Sequence, residues 1–516
     1  MSGPGRDNDG QEQGMFRRFN ESTGRPVQNW SNLKNTVLVL LIIFACIAGS
    51  FWNDAKAQSQ NTIQIDAGAA NSERPRLTVA DAAGLALGRT VYRNVVLIDG
   101  TDIAPRSAMA IVIQDDRIDD ILPDASLTET LLKDATVFDM AGQFAIPGLI
   151  DSHVHLATIP HREIASALLK RSIYGGITGV RDMAGDVRSL ADLSRASLVN
   201  EIPAPDLFYA SLMAGADFFS DRRTVTSGLG GIPGKLPWMQ AIGEDSKIPL
   251  MVAQAKGTWA TGIKVYANLP GKLVQSIIAE GREQNVPVWS HLQVYPADPY
   301  DSLGATVVSH VCMIARYVGE RNKQRYGHDN PPSYEGITAN HPEIRNYISE
   351  LVASGTIMDA TLNLYGEWDA TQGKEASKDA DAPPARPRCS LPLAADITRA
   401  MNDAGVPIIA GTDGAAPASA PFPKLYEELE ILVKHAGLTP HQAIKSATVT
   451  AARGLGKAEQ FGTLETGKFA NMVFLKDNPL ENISALRSIS LTVKRGHRFE
   501  RKDYKHQTIP ELIFPE

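Results

Sequence analysis

The chain has few cysteines and no excess of basic residues. Its 516 residues include Cys46, Cys312 and Cys389, which are too few for a disulfide framework. One disulfide between Cys312 and Cys389 has room to form, although no motif supports it. The formal net charge of −7 argues against nucleic acid as a partner. The hydrophobic fraction of 43% and the charged fraction of 21% are typical of a soluble globular protein.

Long apolar runs are also scarce, and the clearest one, Thr36–Asn53, lies near the amino terminus. Basic residues precede it and the small-x-small sequence Ala55-Lys56-Ala57 follows it. This pattern predicts a secretory signal peptide that is cleaved after Ala57, so that the protein is periplasmic or secreted. The alternative is an uncleaved membrane anchor formed by residues 36–53. Met15 is an alternative start to Met1.

Eight short apolar runs alternate with segments of helical periodicity over about 300 residues. The predicted strands are Phe144–His153, Ile177–Met183, Leu207–Met213, Gly262–Tyr266, Val286–His291, Ala305–His310, Thr356–Thr361 and Val406–Asp413. Alternation of this kind is typical of parallel βα units. We therefore predict an α/β protein with a (β/α)8 TIM barrel, whose chemistry lies at the carboxyl ends of its strands.

Short strands on both sides of the barrel region predict a second, smaller domain. They are Val91–Asp99, Met109–Gln114 and Arg117–Leu122 before it, and Phe469–Leu475 and Leu491–Arg495 after it. We expect one small β-sandwich assembled from both flanks of the chain. The predicted boundaries are 1–57 for the signal peptide or anchor, 58–86 for a linker, 87–145 and 456–516 for the two parts of the sandwich and the tail, and 146–455 for the barrel.

Polar residues that can bind metal end five of the eight strands. His153 and His155 are two residues apart, so both imidazoles point to the same face of an extended strand. Asp413 follows the apolar run 406–410, beside glycines that allow a tight turn. Each has an ordinary alternative, either as a polar residue at a strand end or as an Asx-turn cap. Together they predict a site that chelates a metal ion.

Lys264 is the most diagnostic residue, because lysine is rarely buried and this one lies within a predicted barrel strand. A desolvated lysine loses its proton readily, and the neutral amine can add carbon dioxide to become a carbamate that bridges two cations. The alternative is a lysine that reaches the rim of the barrel. His291 and His310 end consecutive strands, which predicts that they are neighbours at the barrel mouth.

Several motifs resemble those of the amidohydrolase superfamily, and most closely its imidazolonepropionase-related branch of metal-dependent amidohydrolases and dipeptidases. The resemblance covers residues 87–500. The motifs are Ile146–His155, Gly175–Asp182, Ala410–Asp413, Ala436–Pro440 with Ala443 and Ala447-Thr448, and Gly462–Val473.

The resemblance implies a metal-dependent hydrolase that acts on carbon–nitrogen bonds. His153, His155 and Asp413 would hold one divalent ion, and His291 and His310 would hold a second. Lys264, N6-carboxylated by CO2, would bridge the two ions. A hydroxide between the ions would attack the substrate, while Asp413 carries the proton to the leaving group. Zinc suits these ligands best, and manganese or iron would also fit.

The substrate is less defined than the reaction. We expect a small amide or peptide-like compound, such as an N-acyl amino acid or a dipeptide. Arg222, Arg223, Tyr266 and Tyr295 are candidates for binding it, although the two arginines could equally form a solvated surface pair. A lactone, carbamate or organophosphate ester is the alternative substrate, and a non-catalytic binding protein is the alternative function. We expect a homo-oligomer that contacts a membrane only through an uncleaved anchor.

Overall fold

The computed structural model describes residues 87–102, 104–292, 295–319, 332–371, 388–416 and 419–506. The predicted signal peptide or anchor, the linker and the alternative start at Met15 lie outside these residues. Within the described ranges, no helix has both the length and the apolar character needed to cross a membrane. The structure therefore describes the barrel and its flanks. The signal peptide or anchor and the linker stay predictions.

Strands and helices alternate through most of the described chain. The strands are β1 (Arg89–Leu97), β2 (Arg106–Gln114), β3 (Arg117–Pro123), β4 (Thr136–Asp139), β5 (Phe144–Pro147), β6 (Leu149–Val154), β7 (Ile177–Asp182), β8 (Asp206–Gly215), β9 (Lys235–Leu236), β10 (Met239–Ile242), β11 (Gly262–Val265), β12 (Val288–His291), β13 (Val307–Ser309), β14 (Ile357–Asp359), β15 (Ile408–Ile409), β16 (Met472–Leu475), β17 (Ile489–Lys494) and β18 (His497–Glu500). The helices are α1 (Glu129–Leu132), α2 (Arg162–Tyr174), α3 (Val187–Leu198), α4 (Arg222–Ser227), α5 (Ile248–Gly257), α6 (Gly271–Glu283), α7 (Cys312–Gly319), α8 (Pro342–Ser354), α9 (Leu362–Thr371), α10 (Leu391–Asp403), α11 (Leu425–Lys434), α12 (Pro440–Ser446) and α13 (Val449–Gly454).

Eight strands pair in parallel in the order β6, β7, β8, β11, β12, β13, β14 and β15. Backbone hydrogen bonds join the first strand to the end of the last. The Ser152 N–H donates to the Ala410 carbonyl at 3.0 Å, and the Asp413 N–H donates to the His153 carbonyl at 2.9 Å. The predicted (β/α)8 barrel is therefore confirmed, and the carboxyl ends of its strands form one face.

The interior of the barrel is layered, because alternate residues of each strand point inward. An apolar layer lies toward the amino ends of the strands and consists of Ile150, Trp289, Val307, Ile357 and Ile409. Helix α13 packs against this layer, and the indole Nε1–H of Trp289 donates to the Gly454 carbonyl at 2.9 Å. Two residues further along the same or neighbouring strands, the side chains become polar or small. These positions are Lys264, His291, Ser309, Asp359 and Gly411.

The second sheet takes strands from both ends of the described chain. Its order is β18, β17, β16, β5, β1, β2 and β3, with β4 beside β1. Tyr92, Ile111, Phe474 and Val493 belong to its buried core. The predicted small β unit built from both flanks is confirmed, and its strands form one continuous, largely antiparallel sheet.

The predicted single strand Phe144–His153 is wrong in one respect, because it is two strands that belong to different sheets. β5 pairs antiparallel with β16, with Pro147 opposite Met472, whereas β6 pairs with β7 in the barrel. Gly148 separates the two strands, and its N–H donates to the Asn471 carbonyl at 3.0 Å. The residues on both sides of the change, 144–147 and 149–150, are apolar, so their pattern predicts one strand, and the turn signal Pro147-Gly148 marks the change of sheet.

Cys312 and Cys389 form a disulfide, with their Cα atoms 6.2 Å apart. Cys312 begins helix α7 just after β13, and Cys389 lies just before α10. The bond therefore connects the segment after one barrel strand with the segment that leads toward the last strand. Both cysteines are buried.

Candidate metal centre and active site

The six predicted ligands lie at the carboxyl ends of five barrel strands, as the layered interior requires. His153 and His155 end β6, Lys264 lies on β11, His291 ends β12, and His310 and Asp413 follow β13 and β15. All except the half-buried His155 and Asp413 are classed as buried. The structure thus brings together residues that are up to 260 positions apart in sequence.

Asp413 lies at the centre of the histidines. Its Oδ1 atom is 3.4 Å from His153 Nε2 and 3.1 Å from His155 Nε2, and its Oδ2 atom is 3.7 Å from His310 Nδ1. Donor atoms of His153, His155 and Asp413 all lie within 4.8 Å of one another, which is suitable for one metal ion. Burial alone would raise the pKa of Asp413, but the surrounding histidines hold it well below its usual value.

The backbone around Asp413 is adapted to this close packing. Asp413 has a φ angle of 46°, a left-handed conformation that aspartate tolerates better than most residues. A Cβ atom on Gly411 would lie 2.5 Å from Asp359 Oδ1 and 2.7 Å from the Cβ of His153, so only glycine fits there. The Thr412 hydroxyl donates to Asp151 Oδ2 at 3.0 Å. The sequence Gly411-Thr412-Asp413 therefore fixes the position of the carboxylate.

Lys264 is a buried amine without a hydrogen-bond partner among the described residues. Its side chain is 3% exposed, and its Nζ atom lies 5.8 Å from the ring centroid of Tyr266. Burial lowers the pKa of Lys264 to about 8. An orphaned buried amine is costly, and it needs either a partner or a chemical change that supplies one.

His291 and His310 are adjacent, as the sequence predicts, with their ring centroids 4.6 Å apart. The His310 ring is also 5.1 Å from that of His153. His310 Nδ1 and the Thr361 hydroxyl are 3.0 Å apart, within hydrogen-bond distance. Burial lowers the pKa of His310 to about 3, so the ring is neutral and has a lone pair to offer at ordinary pH.

Asp359 is a residue of the site that the sequence interpretation missed. It is fully buried at the end of β14, and its Oδ2 atom lies 2.8 Å from His153 Nδ1. The same oxygen accepts hydrogen bonds from Arg181 and from the Ser309 hydroxyl, both at 2.9 Å. A carboxylate on the far nitrogen of a metal-binding histidine orients the ring and increases its basicity. Asp359 lies inside the predicted strand Thr356–Thr361, where a lone aspartate carries no motif.

Comparisons with known proteins give a family match for part of the chain and a similar fold for most of it. Residues 390–498 match the Amidohydrolase family. Imidazolonepropionase from Geobacillus kaustophilus is 41% identical over 80 residues, which are 16% of this chain and 18% of that protein. The crystal structure of a Xaa-Pro dipeptidase with bound methionine in the active site covers 80% of this chain and 100% of its own, with 19% identity and a TM-score of 0.61. A. niger ochratoxinase covers 80% and 96%, with 20% identity and a TM-score of 0.61.

The family match covers residues 390–498 only. The curated imidazolonepropionase is matched over only 18% of its length, and the solved structures show a similar fold at 19% and 20% identity. The activity and the substrate of this protein therefore have to be argued from its own site.

The donor atoms of this site fit a divalent metal ion. Imidazole and carboxylate donors converge within 4.8 Å at His153, His155 and Asp413. The unpartnered amine of Lys264 lies in the same cavity, where a carbamate would supply two more oxygens. This set of nitrogen and oxygen donors suits zinc or a similar divalent ion.

The cavity above these residues has a volume of about 530 Å³. Of the four predicted substrate-binding residues, Arg223 and Tyr266 line it, whereas Arg222 and Tyr295 are not among its lining residues. Both arginines lie exposed on α4. Arg223 donates to both oxygens of Asp221, at 3.0 and 2.8 Å, and this interaction raises the pKa of the arginine. Adjacent residues of a helix point in different directions, which is why Arg223 lines the cavity and Arg222 does not.

Three charged residues of the cavity wall were not predicted. They are Arg171, Glu367 and Lys424. Arg171 Nη2 donates to the Ala416 carbonyl at 2.9 Å, and Lys424 forms an ion pair with Glu367. Each comes from a helix or a helix boundary with an ordinary sequence, so no motif marks them.

Proposed function

We propose that this protein is a metal-dependent hydrolase that cleaves an amide or peptide-like carbon–nitrogen bond. The observation that carries the proposal is the convergence of His153, His155 and Asp413 with the buried, unpartnered Lys264 in one cavity. A structural role alone does not account for a buried amine without a partner.

Two divalent ions, most simply zinc, would complete the site. His153, His155 and Asp413 would hold one ion, and His291 and His310 would hold the other. Lys264 would bridge them after its neutral amine adds CO2 and releases a proton, which yields an anionic carbamate. When bound, such ions lower the pKa of water and polarise a carbonyl group.

The residues of the chain supply orientation and proton transfer. Asp413, which faces both His153 and His155, accepts a proton from the attacking water and returns it to the leaving nitrogen. Asp359 keeps the ring of His153 in one orientation through the 2.8 Å contact. The apolar part of the cavity wall, which includes Phe218 and Leu212, limits the access of bulk water.

Two further features support a small amide as the substrate. A cavity of about 530 Å³ has the size of a typical small-molecule site. The similar proteins are named imidazolonepropionase, Xaa-Pro dipeptidase and ochratoxinase. We therefore propose an N-acyl amino acid, a dipeptide or a related amide.

We also propose that the protein is exported to the periplasm or the medium. The disulfide between Cys312 and Cys389 supports this, because such bonds persist mainly in oxidising compartments. The apolar run Thr36–Asn53 and the small residues after it supply the signal in the sequence. Cell fractionation of the full chain tests this, and recovery in the cytoplasm with free thiols would contradict it. The oligomeric state stays a prediction.

A substrate screen tests the proposed reaction. The zinc-loaded protein is assayed with N-acyl amino acids and dipeptides, and in parallel with lactones, carbamates and aryl or organophosphate esters. We expect turnover in the amide series, and we expect its loss after the metal is removed with a chelator. Faster turnover of the esters or lactones would contradict the assignment to amides, and no turnover in any series would favour a binding protein.

A further inference from the structure

An ion pair in the cavity wall joins a buried cation to a half-exposed anion. Lys424, just before α11, contacts Glu367 of α9 through its Nζ atom. The lysine side chain is 4% exposed, whereas that of the glutamate is 52% exposed. Both residues line the cavity that contains the proposed metal ligands. The lysine therefore has little contact with water, whereas the glutamate has much.

The buried partner needs an anion, and the exposed partner does not. An ammonium group removed from water is stable only when a negative group faces it. Glu367 can move into solvent at little cost, because exposed ion pairs contribute little to stability. A negatively charged group that enters the cavity can thus replace Glu367 beside Lys424.

The ammonium group of Lys424 lies beside the loop that carries the proposed proton carrier, Asp413. A Cβ atom on Gly414 would be 2.9 Å from Lys424 Nζ, so the cation is beside the residue that directly follows Asp413. The guanidinium of Arg171 donates to the Ala416 carbonyl of the same loop at 2.9 Å. Two buried cations therefore contact the loop that carries Asp413.

We propose that Lys424 binds a substrate carboxylate on the amine side of the scissile bond, in exchange for Glu367. This inference rests on the proposed function, in which Asp413 protonates the leaving nitrogen. In an α-amino acid only one carbon separates that nitrogen from the carboxylate, and the ammonium of Lys424 lies beside Gly414, the residue that follows Asp413. The substrate class is then an N-acyl α-amino acid or a dipeptide with a free carboxyl terminus.

Three matched series of compounds test the position of the carboxylate in the zinc-loaded enzyme. N-acetyl amino acids carry it on the amine side, N-succinyl alkylamines carry it on the acyl side, and N-acetyl amino acid amides lack it. We expect kcat/KM for the first series to exceed the other two by about 100-fold, since only its carboxylate lies where it can pair with the buried Lys424. Equal rates for the acids and their amides, or faster cleavage of the succinyl series, would overturn the assignment.

Variants of the ion pair separate binding from general damage to the site. Lys424→Met should lower kcat/KM for the N-acetyl amino acids by about 100-fold, mainly through KM. Lys424→Arg should restore most of the loss, because it keeps the cation. Glu367→Gln removes the competing anion and should lower KM. Zinc content equal to that of wild type shows that each variant is folded.

The outcomes distinguish this inference from the function on which it rests. If the wild-type enzyme cleaves no amide in any series, the proposed function fails and the carboxylate assignment fails with it. If it cleaves the N-acetyl amino acids and Lys424→Met leaves their KM unchanged, the function stands and only the assignment is wrong.

Discussion

The two sides of the proposed metal centre are supported by different chemistry. His153 Nδ1 contacts the Asp359 carboxylate at 2.8 Å, whereas His310 Nδ1 contacts the Thr361 hydroxyl at 3.0 Å. Both supporting residues come from the end of β14 and are two positions apart. A carboxylate orients a histidine and also makes it a stronger donor, while a hydroxyl mainly orients it. We infer that the side with His153 binds its ion more tightly.

The difference extends to the surrounding residues. Asp359 is held by Arg181 and by Ser309, and Gly411 leaves room for it beside His153. His310 has a left-handed φ angle of 77°, and its N–H donates to the Asp359 carbonyl at 2.9 Å. The end of β14 therefore supports both His153 and His310. A buried charge, that of Asp359, supports the ring of His153 only.

The largest expected effect is at Asp413, the residue that contacts both sides. Asp413→Asn keeps a side chain that tolerates the left-handed conformation but cannot carry the proton. We expect kcat to fall by about 1,000-fold, within the range for loss of general acid–base catalysis. Steady-state kinetics with an N-acyl amino acid measures this. A fall of less than tenfold with unchanged metal content would exclude Asp413 as the proton carrier.

A large effect is also expected from Asp359→Ala, which removes the charged support of His153. Metal affinity should fall by about 10- to 100-fold. The free energy of unfolding should fall by about 3–5 kcal/mol, because Arg181 is left buried and unpaired. Competition with a chromophoric chelator and urea unfolding measure the two quantities. Ser309→Ala is the control, since it removes one donor but keeps the carboxylate, and an equal loss of metal affinity there would contradict the role of Asp359.

A smaller effect is expected on the other side of the centre. Thr361→Val keeps the shape of the side chain and removes the hydroxyl that contacts His310. Metal affinity should fall by less than about tenfold, because no charge is lost. Thr356→Val is the matched control at the start of the same strand, where the hydroxyl accepts from the Gly304 N–H at 2.9 Å. If Thr361→Val weakens metal binding more than Asp359→Ala, the ranking of the two sides is wrong.

An effect on stability and not on metal affinity concerns Glu428, which supports the segment after β14. Its carboxylate accepts hydrogen bonds from the Leu362 and Asn363 N–H groups, at 3.0 and 2.7 Å. Burial raises the pKa of Glu428 from 4.5 to about 8. The folded state thus binds more protons than the unfolded state between these values, and stability from this group falls as pH rises through that window.

Urea unfolding of the metal-free wild type and of Glu428→Gln at a series of pH values measures this contribution. The unfolding free energy of the wild type, relative to that of Glu428→Gln, should fall as pH rises from about 4.5 to about 8. Parallel stability curves over that range would show that Glu428 does not titrate as its burial requires.

The sequence predicts the barrel well because its strands end on polar residues that interrupt apolar runs. Lys264 and Asp413 could be recognised from such ends. Asp359 could not, since a single aspartate after Ile357-Met358 is also typical of an ordinary turn. The pair of Lys424 and Glu367 was out of reach, because its members are 57 positions apart and unremarkable in their local sequence.

The metal content of wild type and of Lys264→Ala tests the two-metal account most directly. Both proteins are loaded with zinc in the presence of bicarbonate, freed of excess metal, and measured by atomic emission. We predict two equivalents for the wild type and about one for the variant, since the ligands His153, His155 and Asp413 remain. Fewer than one equivalent in the wild type, or equal metal content and turnover in both proteins, would contradict the account.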